Sequence, residues 1–522
     1  MCDIVVMWWV FFVLFFTVFL SVFAAVCLFR NQRIKFDRGF YFASCACLIA
    51  FVLSAFTLPA FHRVYYDENI LTSQAVNILS TGKPNIVLKG SRLHPEAFAS
   101  WAMNLKLPGF ACLESSVLFF TRDFNGILTM NFLLGILLVG LVYRLSWLLS
   151  HCERLAWWSA CVLACLPARV TYCVTASLDV SGLFFFLLFC LFLFEYRDCR
   201  HSIIMYAAIF AGAYSVYIKP FYLILDLMVG ASVLYFYRRK NIFKQDFLIK
   251  ILIATACLML PAVFAVPIFF HSNSKLDVYS INYVLENLRM SFCYLINERQ
   301  NLAVATVFVL VSTVRGFNGN GDILSKAFAG WLWGGILLFS VFNSGGISFP
   351  GHAYSDRYFL ILAFPFVYLA GKGIVDTLTF FRFPFSWLLI LCFLLFNGYC
   401  ASQSLTAYAK NNFHYQKALL LKKIFPLIDD NTYILDESAP FITTISDKKA
   451  IQMNYFLKDD HPSKVIYLMG NPLGDYAYDD PVMEVELKKV LDKEYLCKLL
   501  TGSSVRAQYI SAVPYICLRL SS

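Results

Sequence analysis

Charged residues are scarce in this chain. Asp, Glu, Lys and Arg together make up 15% of its 522 residues, whereas a soluble globular protein usually contains about 25%. At the same time 59% of the residues are hydrophobic, and the mean hydropathy is +0.65. These proportions exclude a water-soluble enzyme, a disordered chain and a fibrous repeat. The remaining class is a polytopic membrane protein.

The sequence also lacks the cysteine patterns of metal sites. None of its 17 Cys belongs to a CxxC motif or to a Cys/His cluster with suitable spacing. Most of them lie inside apolar runs, where a thiol behaves as a small hydrophobic group. Cys497 and Cys517 stand apart in the polar tail, and they would pair only in an oxidising compartment. The sequence leaves both redox states open.

Long apolar runs dominate the first four fifths of the chain. A spanning helix needs about 20 mainly apolar residues. The first run contains Asp3 and precedes a basic cluster at 30–38, which is unlike a signal peptide. The predicted spans lie near 4–29, 40–61, 124–149, 156–172, 180–196, 202–218, 221–237, 248–270, 302–314, 327–344, 358–375 and 385–401.

The basic residues between these runs predict one orientation. Cytoplasmic loops are rich in Lys and Arg, so the cluster at 30–38 places the N-terminus outside. Two long polar stretches, 62–123 and 402–522, then also lie outside. Neither contains an Asn-x-Ser/Thr glycosylation sequon, which favours a bacterial inner membrane over a secretory pathway.

The tail beyond residue 402 has a different pattern. Its short apolar runs at 433–435, 465–469 and 515–518 are separated by amphipathic stretches at 415–425 and 484–500. Strand runs alternating with helical patterns predict a small α/β domain. We therefore expect a transmembrane domain over 1–401, including the outer loop 62–123, and an extracytoplasmic α/β domain over 402–522.

The outer loop contains a predicted amphipathic helix over 68–80, with apolar positions spaced to lie flat on a membrane surface. Gly82 fits the left-handed position past its C-terminus. Asp67 has two interpretations: it caps the N-terminus of this helix, or it performs chemistry. The apolar positions of the helix are Leu71, Ala75, Ile78 and Leu79.

Other polar residues of the outer face have similar alternatives. His94 and Glu96 precede a second amphipathic stretch at 97–107, and His94 is either a loop residue or part of a site. Asp179 lies between two spans, where a carboxylate is costly unless it meets a partner or a water-filled cavity. Lys219 and Arg357 could simply extend towards the lipid headgroups. Taken together, these groups indicate a site at the outer membrane surface.

The order of these motifs resembles the GT-C superfamily of integral-membrane glycosyltransferases, in the branch of lipid A aminoarabinose transferase and protein O-mannosyltransferases. Two features depart from that branch: an additional span at 4–29, and His94–Pro95–Glu96 where close relatives have Lys-Pro-Pro. The similar segments are TyrAspGluAsn…SerThrGlyLysPro (66–84), HisPro (94–95), Trp101, LeuProAlaArgValThrTyr…SerLeuAsp (166–179), TyrIleLysPro (217–220), ArgTyrPheLeu…PhePro (357–365) and AspAspAsnThrTyrIleLeuAspGluSerAlaPro (429–440).

The resemblance implies an enzyme that transfers a sugar from a polyprenyl-phosphate donor to a glycolipid, polysaccharide or protein of the cell envelope, with inversion. Asp67 would act as base or electrostatic stabiliser, with Glu68 in support. A divalent cation held by Asp67 and Asp179 stays open, as no spacing requires it. The implied catalytic residues are Asp67, Glu68 and Asp179, and the implied substrate-binding residues are His94, Lys219, Arg357 and Tyr358.

Three other functions remain open at this stage. A transporter or flippase for lipid-linked sugars would need polar or broken spans in paired positions, and the spans here are mostly Phe, Leu and Val. An oligosaccharyltransferase would carry a Trp-Trp-Asp signature, whereas the tail beyond residue 402 contains no Trp. A non-catalytic membrane scaffold with an outer partner-binding domain is the third.

Overall fold

The structure is a computed structural model of the 522-residue chain. It describes residues 2–31, 38–57, 66–91, 94–99, 108–122, 124–239, 249, 252–258, 281–297, 302–317, 322–342, 359–381, 386–411, 413–436, 439, 442–443, 446, 448–458, 462–469, 491, 495–499, 505–506 and 511–519.

The chain divides into two compact units. One unit, here called the helical unit, contains residues 9–59 and 128–406. The other, the loop–tail unit, combines residues 1–8, 60–127 and 407–522. The predicted division into a transmembrane domain over 1–401 and an α/β domain over 402–522 stays a prediction.

The helical unit and its flanks consist of helices. Because a chain crossing lipid must satisfy its backbone hydrogen bonds internally, apolar runs of this length fold as helices. They are α1 (Cys2–Arg30), α2 (Arg38–Thr57), α5 (Asn125–Ser150), α6 (Glu153–Cys165), α7 (Pro167–Cys173), α8 (Leu178–Cys199), α9 (Ser202–Ile218), α10 (Tyr222–Arg239), α11 (Ile281–Ile296), α12 (Ala303–Phe317), α13 (Ile323–Phe342), α14 (Ala363–Phe381, after a 3₁₀ turn at Leu360–Leu362) and α15 (Ser386–Asn411); α3 and α4 belong to the loop–tail unit and follow below.

Six of the helices are long and apolar enough to cross a membrane, which confirms the predicted polytopic helical fold and a multi-pass membrane protein. The total of twelve spans stays a prediction, because other apolar helices are shorter and most of 248–270 lies outside the described residues. The six are Ile4–Arg30, Arg38–Ala55, Asn125–Ser150, Leu178–Cys199, Ile323–Val341 and Leu360–Phe380.

The predicted span at 156–172 contains a break in its helix. The helix ends at Cys165, and α7 starts at Pro167 after Leu166 has taken an extended conformation with ψ 119°. Proline disfavours the helical conformation of the residue before it, which explains the break.

The side chain of Arg169 is fully buried beside this break, and its guanidinium donates to Ser54 Oγ at 2.8 Å and to the carbonyl of Ala164. Arg169 thereby joins α2 to the open C-terminal end of α6.

The loop–tail unit is a mixed α/β structure. Its strands form one sheet in the order β2-β1-β4-β3-β5-β8-β6, with β7 also paired to β8. The three central strands β4, β3 and β5 are parallel to one another, and the others pair antiparallel. The elements are α3 (Tyr66–Thr81), β1 (Ile86–Gly90), β2 (Pro95–Ala99), α4 (Gly109–Thr121), α16 (Phe413–Ile424), a 3₁₀ turn (Phe425–Leu427), β3 (Tyr433–Asp436), β4 (Ala450–Gln452), α17 (Met453–Lys458), β5 (Lys464–Met469), β6 (Tyr495–Leu499), β7 (Val505–Arg506) and β8 (Ser511–Arg519).

This sheet joins the outer loop to the tail. In the antiparallel register of β1 and β4, Lys89 lies opposite Ile451. The tail strands alone would leave β4 at the edge of the sheet, where unpaired backbone groups need cover. The outer loop therefore supplies two strands of the same sheet. Further along, the register of β6 and β8 sets Cys497 opposite Cys517.

Most of the predicted elements of this unit are confirmed. The helix expected over 68–80 is α3, Gly82 has φ +67° after its end, and each of the three apolar runs of the tail forms a strand. Two helical expectations are wrong in part, because residues 97–99 belong to β2 and 495–499 to β6. In both segments the hydrogen bonds of a neighbouring strand override a helical pattern.

Candidate functional site

Asp179 belongs to a polar site in the helical unit. It lies in the first turn of α8, two residues after the cap residue Ser177. The hydroxyl of Ser177 donates to Asp179 Oδ2 at 2.7 Å and accepts the Asp179 backbone N–H at 3.3 Å. An anion in the first turn of a helix is stabilised by the positive end of the helix dipole. The local sequence thus both places this carboxylate and favours its ionised form.

Lys219 occupies the opposite kind of helix end. It follows the last residue of α9 in an extended conformation with ψ 108°, and Pro220 after it prevents the helix from continuing. Its backbone N–H donates to the carbonyl of Ser215 at 2.9 Å. Free carbonyls at a helix C-terminus favour a cation. The positive charge of Lys219 therefore suits the C-terminal end of α9, just as the negative charge of Asp179 suits the N-terminal end of α8.

These two residues form a buried ion pair. Lys219 Nζ lies 2.5 Å from Asp179 Oδ1, and the side chains are 9% and 0% exposed. The predicted proximity of Asp179 and Lys219 is therefore observed. A buried pair of this geometry is favourable only while both partners remain. Its two charges cancel, so the site presents a neutral but strongly polar group to whatever binds there.

Asn131 of α5 holds the segment that leads into this site. Its amide nitrogen donates to the carbonyls of Thr175 at 2.7 Å and Ser177 at 2.9 Å. Its carbonyl oxygen accepts the hydroxyl of Ser181 at 2.8 Å. One buried side chain thus satisfies backbone groups before α8 and a side chain within it. The position of Asp179 is fixed from a neighbouring helix.

A second polar layer, formed by Ser215, Tyr222 and Asp226, was missed by the sequence analysis. Asp226 lies on α10 inside the predicted span 221–237, and its Oδ2 is 3.0 Å from Ser215 Oγ. The Tyr222 hydroxyl interacts electrostatically with both Asp179 and Asp226. An acidic residue within an apolar span is itself a signal of a site, and this signal was available in the sequence.

Asp67 and Glu68 belong to the loop–tail unit. Because α3 begins at Tyr66, Asp67 lies inside the first turn of the helix rather than at the cap position predicted for it. Glu68 is 1% exposed and interacts electrostatically with Glu114 of α4, whose Oε1 accepts the hydroxyl of Thr72 at 3.0 Å. Burial raises the pKa of Glu114 well above its usual range. Glu68 and Glu114 thus form a buried acidic pair, which the sequence did not reveal.

His94 lies in the tight turn between β1 and β2. It is exposed, and the turn is closed by hydrogen bonds of its backbone to Ser91. Next to it, Glu96 accepts the hydroxyl of Tyr433 and lies 3.2 Å from Lys89 Nζ. These contacts favour the interpretation of His94 as a turn residue. Its role in substrate binding stays a prediction.

Arg357 and Tyr358 lie outside the described residues. Their predicted roles in substrate binding therefore also stay predictions. The same is true of any approach of Asp67 to Asp179.

The described side chains do not form a metal site around Asp179. One oxygen of its carboxylate contacts Lys219, and the other accepts from Ser177. Within the part of the chain that the structure describes, no three His, Cys, Asp or Glu side chains cluster as ligands. The divalent cation that the sequence left open at Asp67 and Asp179 stays a prediction, and no step of the chemistry below is assigned to one.

No family model and no curated protein matches the sequence. Solved structures do match the fold. ArnT from Cupriavidus metallidurans bound to undecaprenyl phosphate is 11% identical, with a TM-score of 0.56 over 91% of this chain and 97% of ArnT. The oligosaccharyltransferase of Archaeoglobus fulgidus, in its apo form, is 11% identical with a TM-score of 0.49 over 89% of this chain and 70% of its own. The chain has the GT-C fold, as its motifs predicted.

Proposed function

We propose that this protein transfers a sugar from a polyprenyl-phosphate carrier to an acceptor of the cell envelope at the extracytoplasmic face. The buried ion pair of Asp179 and Lys219 is the observation that carries the proposal, because it sets an acid and a cation side by side at matched helix ends. The fold shared with ArnT supports it. The ArnT structure contains undecaprenyl phosphate, and a phosphate-terminated lipid is the donor class that we propose here.

The reaction is a displacement at the anomeric carbon. The acceptor hydroxyl oxygen forms a bond to that carbon, and the bond from the carbon to the phosphate oxygen breaks. The acceptor proton passes to a carboxylate, and the polyprenyl phosphate leaves with the bonding electron pair. Catalysis therefore needs a base at the acceptor and cations at the leaving group.

In this proposal Asp67 is the base or electrostatic stabiliser, with Glu68 in a supporting part. Lys219 neutralises the leaving phosphate, since its ammonium group has three donors and can contact a phosphate without releasing Asp179. Asp179 orients Lys219 and the acceptor. The remaining proposed contacts to substrate come from Arg357, which can bind two phosphate oxygens at once, and from His94 and Tyr358.

The test is a turnover assay of the purified protein with a polyprenyl-phosphate sugar and a crude envelope acceptor fraction. We expect sugar transfer with equimolar release of polyprenyl phosphate. Asp67→Asn should lower transfer by at least about 10²-fold, the usual contribution of a positioned base. The matched control is Asp198→Asn, which removes a carboxylate that is paired with its neighbour Arg197 at the other end of α8.

Two outcomes would overturn the proposal. Movement of the lipid-linked sugar across vesicles without release of polyprenyl phosphate would identify a flippase. Full complementation of a deletion strain by an Asp67→Asn variant that no longer transfers sugar would identify a scaffold. Near-normal transfer by purified Asp67→Asn would remove Asp67 from the site but leave the reaction itself in place.

A further inference from the structure

The polar layer of Ser215 and Asp226 lies one helical turn from Lys219 along both helices of a hairpin. Ser215 precedes Lys219 by four residues on α9, and Asp226 follows Tyr222 by four residues on α10. Residues four apart share one face of a helix. The contact between Ser215 Oγ and Asp226 Oδ2, 3.0 Å long, therefore closes the hairpin whose turn carries Lys219.

The hydroxyl of Ser215 has two neighbours that cannot both accept its proton. Ser215 Oγ lies 2.8 Å from the carbonyl oxygen of Gly212 and 3.0 Å from Asp226 Oδ2. A serine hydroxyl has one proton to donate and two lone pairs to accept with. If it donates to Gly212, the contact with Asp226 is a hydrogen bond only when Asp226 donates. This arrangement needs a proton on the carboxyl group of Asp226, whereas donation by Ser215 to an ionised Asp226 would leave the carbonyl of Gly212 without the hydroxyl proton.

The surroundings of Asp226 agree with this proton. The residue is 6% exposed, and among the described residues its Oδ1 has no hydrogen-bond partner. The titratable groups that interact with it are the Tyr222 hydroxyl and the Cys190 thiol, and no cation among the described residues pairs with it. An ionised carboxylate without a partner in a membrane helix would be expensive.

The surroundings of Asp179 and Asp226 differ in the groups that can stabilise a negative charge, although Tyr222 interacts with both residues. Asp179 has a helix N-terminus and the ammonium of Lys219 to stabilise its charge. Asp226 lies past the first turn of α10 and has neither.

We propose that Asp226 is a neutral carboxylic acid that donates its proton to Ser215 and so acts as a positioning residue for Lys219. It closes the hairpin below the turn that carries Lys219 without adding a second negative charge there. The positioning role rests on the proposed sugar transfer, in which Lys219 meets the donor phosphate. The protonation of Asp226 does not depend on that function.

Infrared difference spectroscopy of the full chain in nanodiscs tests the protonation. We expect the wild type at neutral pH to show the carbonyl band of a protonated carboxyl group, and Asp226→Asn to lose it. The matched control Asp198→Asn, at a carboxylate paired with Arg197, should leave the band unchanged. An identical band in wild type and Asp226→Asn would show that Asp226 is ionised, and the proposal would be wrong.

Kinetics and amide exchange test the positioning. Asp226→Ala and Ser215→Ala each remove one hydrogen bond, and we expect the KM for the lipid donor to rise about threefold to tenfold with little change in kcat. Asp226→Asn keeps a neutral donor and should remain within about twofold of wild type. The backbone amides of Tyr222 and Leu223, which close the turn, should exchange faster in both alanine variants and at the wild-type rate in Asp226→Asn.

These measurements separate the two proposals. If the wild type transfers no sugar, the proposed function fails, while the infrared band and the amide exchange still decide the state of Asp226. If Asp226→Asn is as impaired as Asp226→Ala, the negative charge of Asp226 is required and the proposal is wrong. Wild-type KM and exchange in both alanine variants would show that the hairpin contact positions nothing.

Discussion

The ion pair of Asp179 and Lys219 allows charge burial and catalysis to be measured separately. Asp179→Asn retains an acceptor for Ser177 but leaves the ammonium of Lys219 buried without its counter-ion, which lies 2.5 Å away in the wild type. Lys219→Met leaves the opposite charge. Breaking a buried pair from either side costs about 3–5 kcal/mol. Asp179 is fully buried and Lys219 nearly so, at 0% and 9% exposure of their side chains, so solvent can recover little of this loss.

The double variant gives the decisive comparison. Asp179→Asn combined with Lys219→Met removes both charges together, and replacing a complete buried pair is often neutral or stabilising by about 1–4 kcal/mol. The two helix-dipole contributions that are lost amount to about 0.3–1 kcal/mol each. We therefore expect the double variant to unfold close to wild type, although each single variant is markedly weaker. The coupling energy should be about 3 kcal/mol or more.

The assay is reversible unfolding of the purified protein in mixed micelles, with sugar transfer measured on the same samples. The double variant should be folded and inactive, because Lys219 no longer meets the donor phosphate. Additive effects of the two single variants would refute the reasoning about burial. Wild-type transfer by the double variant would refute the catalytic use of the pair and leave it a structural feature.

Three further predictions concern packing and protonation. A Cβ at position 182 would lie 2.8 Å from Cε2 of the Tyr222 ring, so Gly182→Ala should displace that ring and lower the thermal midpoint, with about 1–3 kcal/mol lost; an unchanged midpoint would contradict this packing. Burial raises the pKa of Glu114. The folded state therefore binds the proton of Glu114 more tightly than the unfolded state does. The stability that this proton binding contributes is lost as pH rises through the folded-state pKa. Glu114→Gln should therefore raise the thermal midpoint at neutral pH, and the gain should shrink towards about pH 4, near the unfolded pKa; a pH-independent gain would count against it. Arg169→Ala removes the buried donor to Ser54 and to the end of α6 and should cost about 2–5 kcal/mol in the free energy of unfolding. Arg289→Ala, at the exposed pair with Glu286, should cost less.

The sequence predicted the helices of the membrane region well, because length and apolarity are nearly sufficient to define a span. It also predicted the end of α9, where a lysine–proline step carries a local signal. The start of α8 was missed, because Ser177 caps the helix ahead of the predicted span and places Asp179 in its first turn rather than between two spans. The break at Leu166 was equally readable from Pro167 but was passed over within an apolar run. Local signals were thus sufficient wherever a neighbouring residue determined the conformation.

What escaped prediction depends on partners distant in sequence. The strand β2 includes the first residues of a stretch, 97–107, that reads as an amphipathic helix. Its Glu96 accepts a hydrogen bond from Tyr433, which lies 337 residues further along the chain. Glu68 becomes one of an acidic pair only through its neighbour Glu114 on α4. For Asp226 the type of residue gave a warning, but its contact with Ser215 requires the hairpin to form first. Single-sequence patterns contain no information on such pairings.

The shared sheet has a consequence for biosynthesis. The strands β1 and β2 emerge from the ribosome early, yet β4, the tail strand that covers β1, is made only after the last apolar helix. During that interval the backbone of β1 facing β4 lacks its final hydrogen-bond partners, and a strand in this state readily pairs with other chains. A ribosome that stops before β4 would release a protein with all its apolar helices and an incomplete sheet in the loop–tail unit. Quality control of this protein therefore has to act on that sheet, after membrane insertion is already finished.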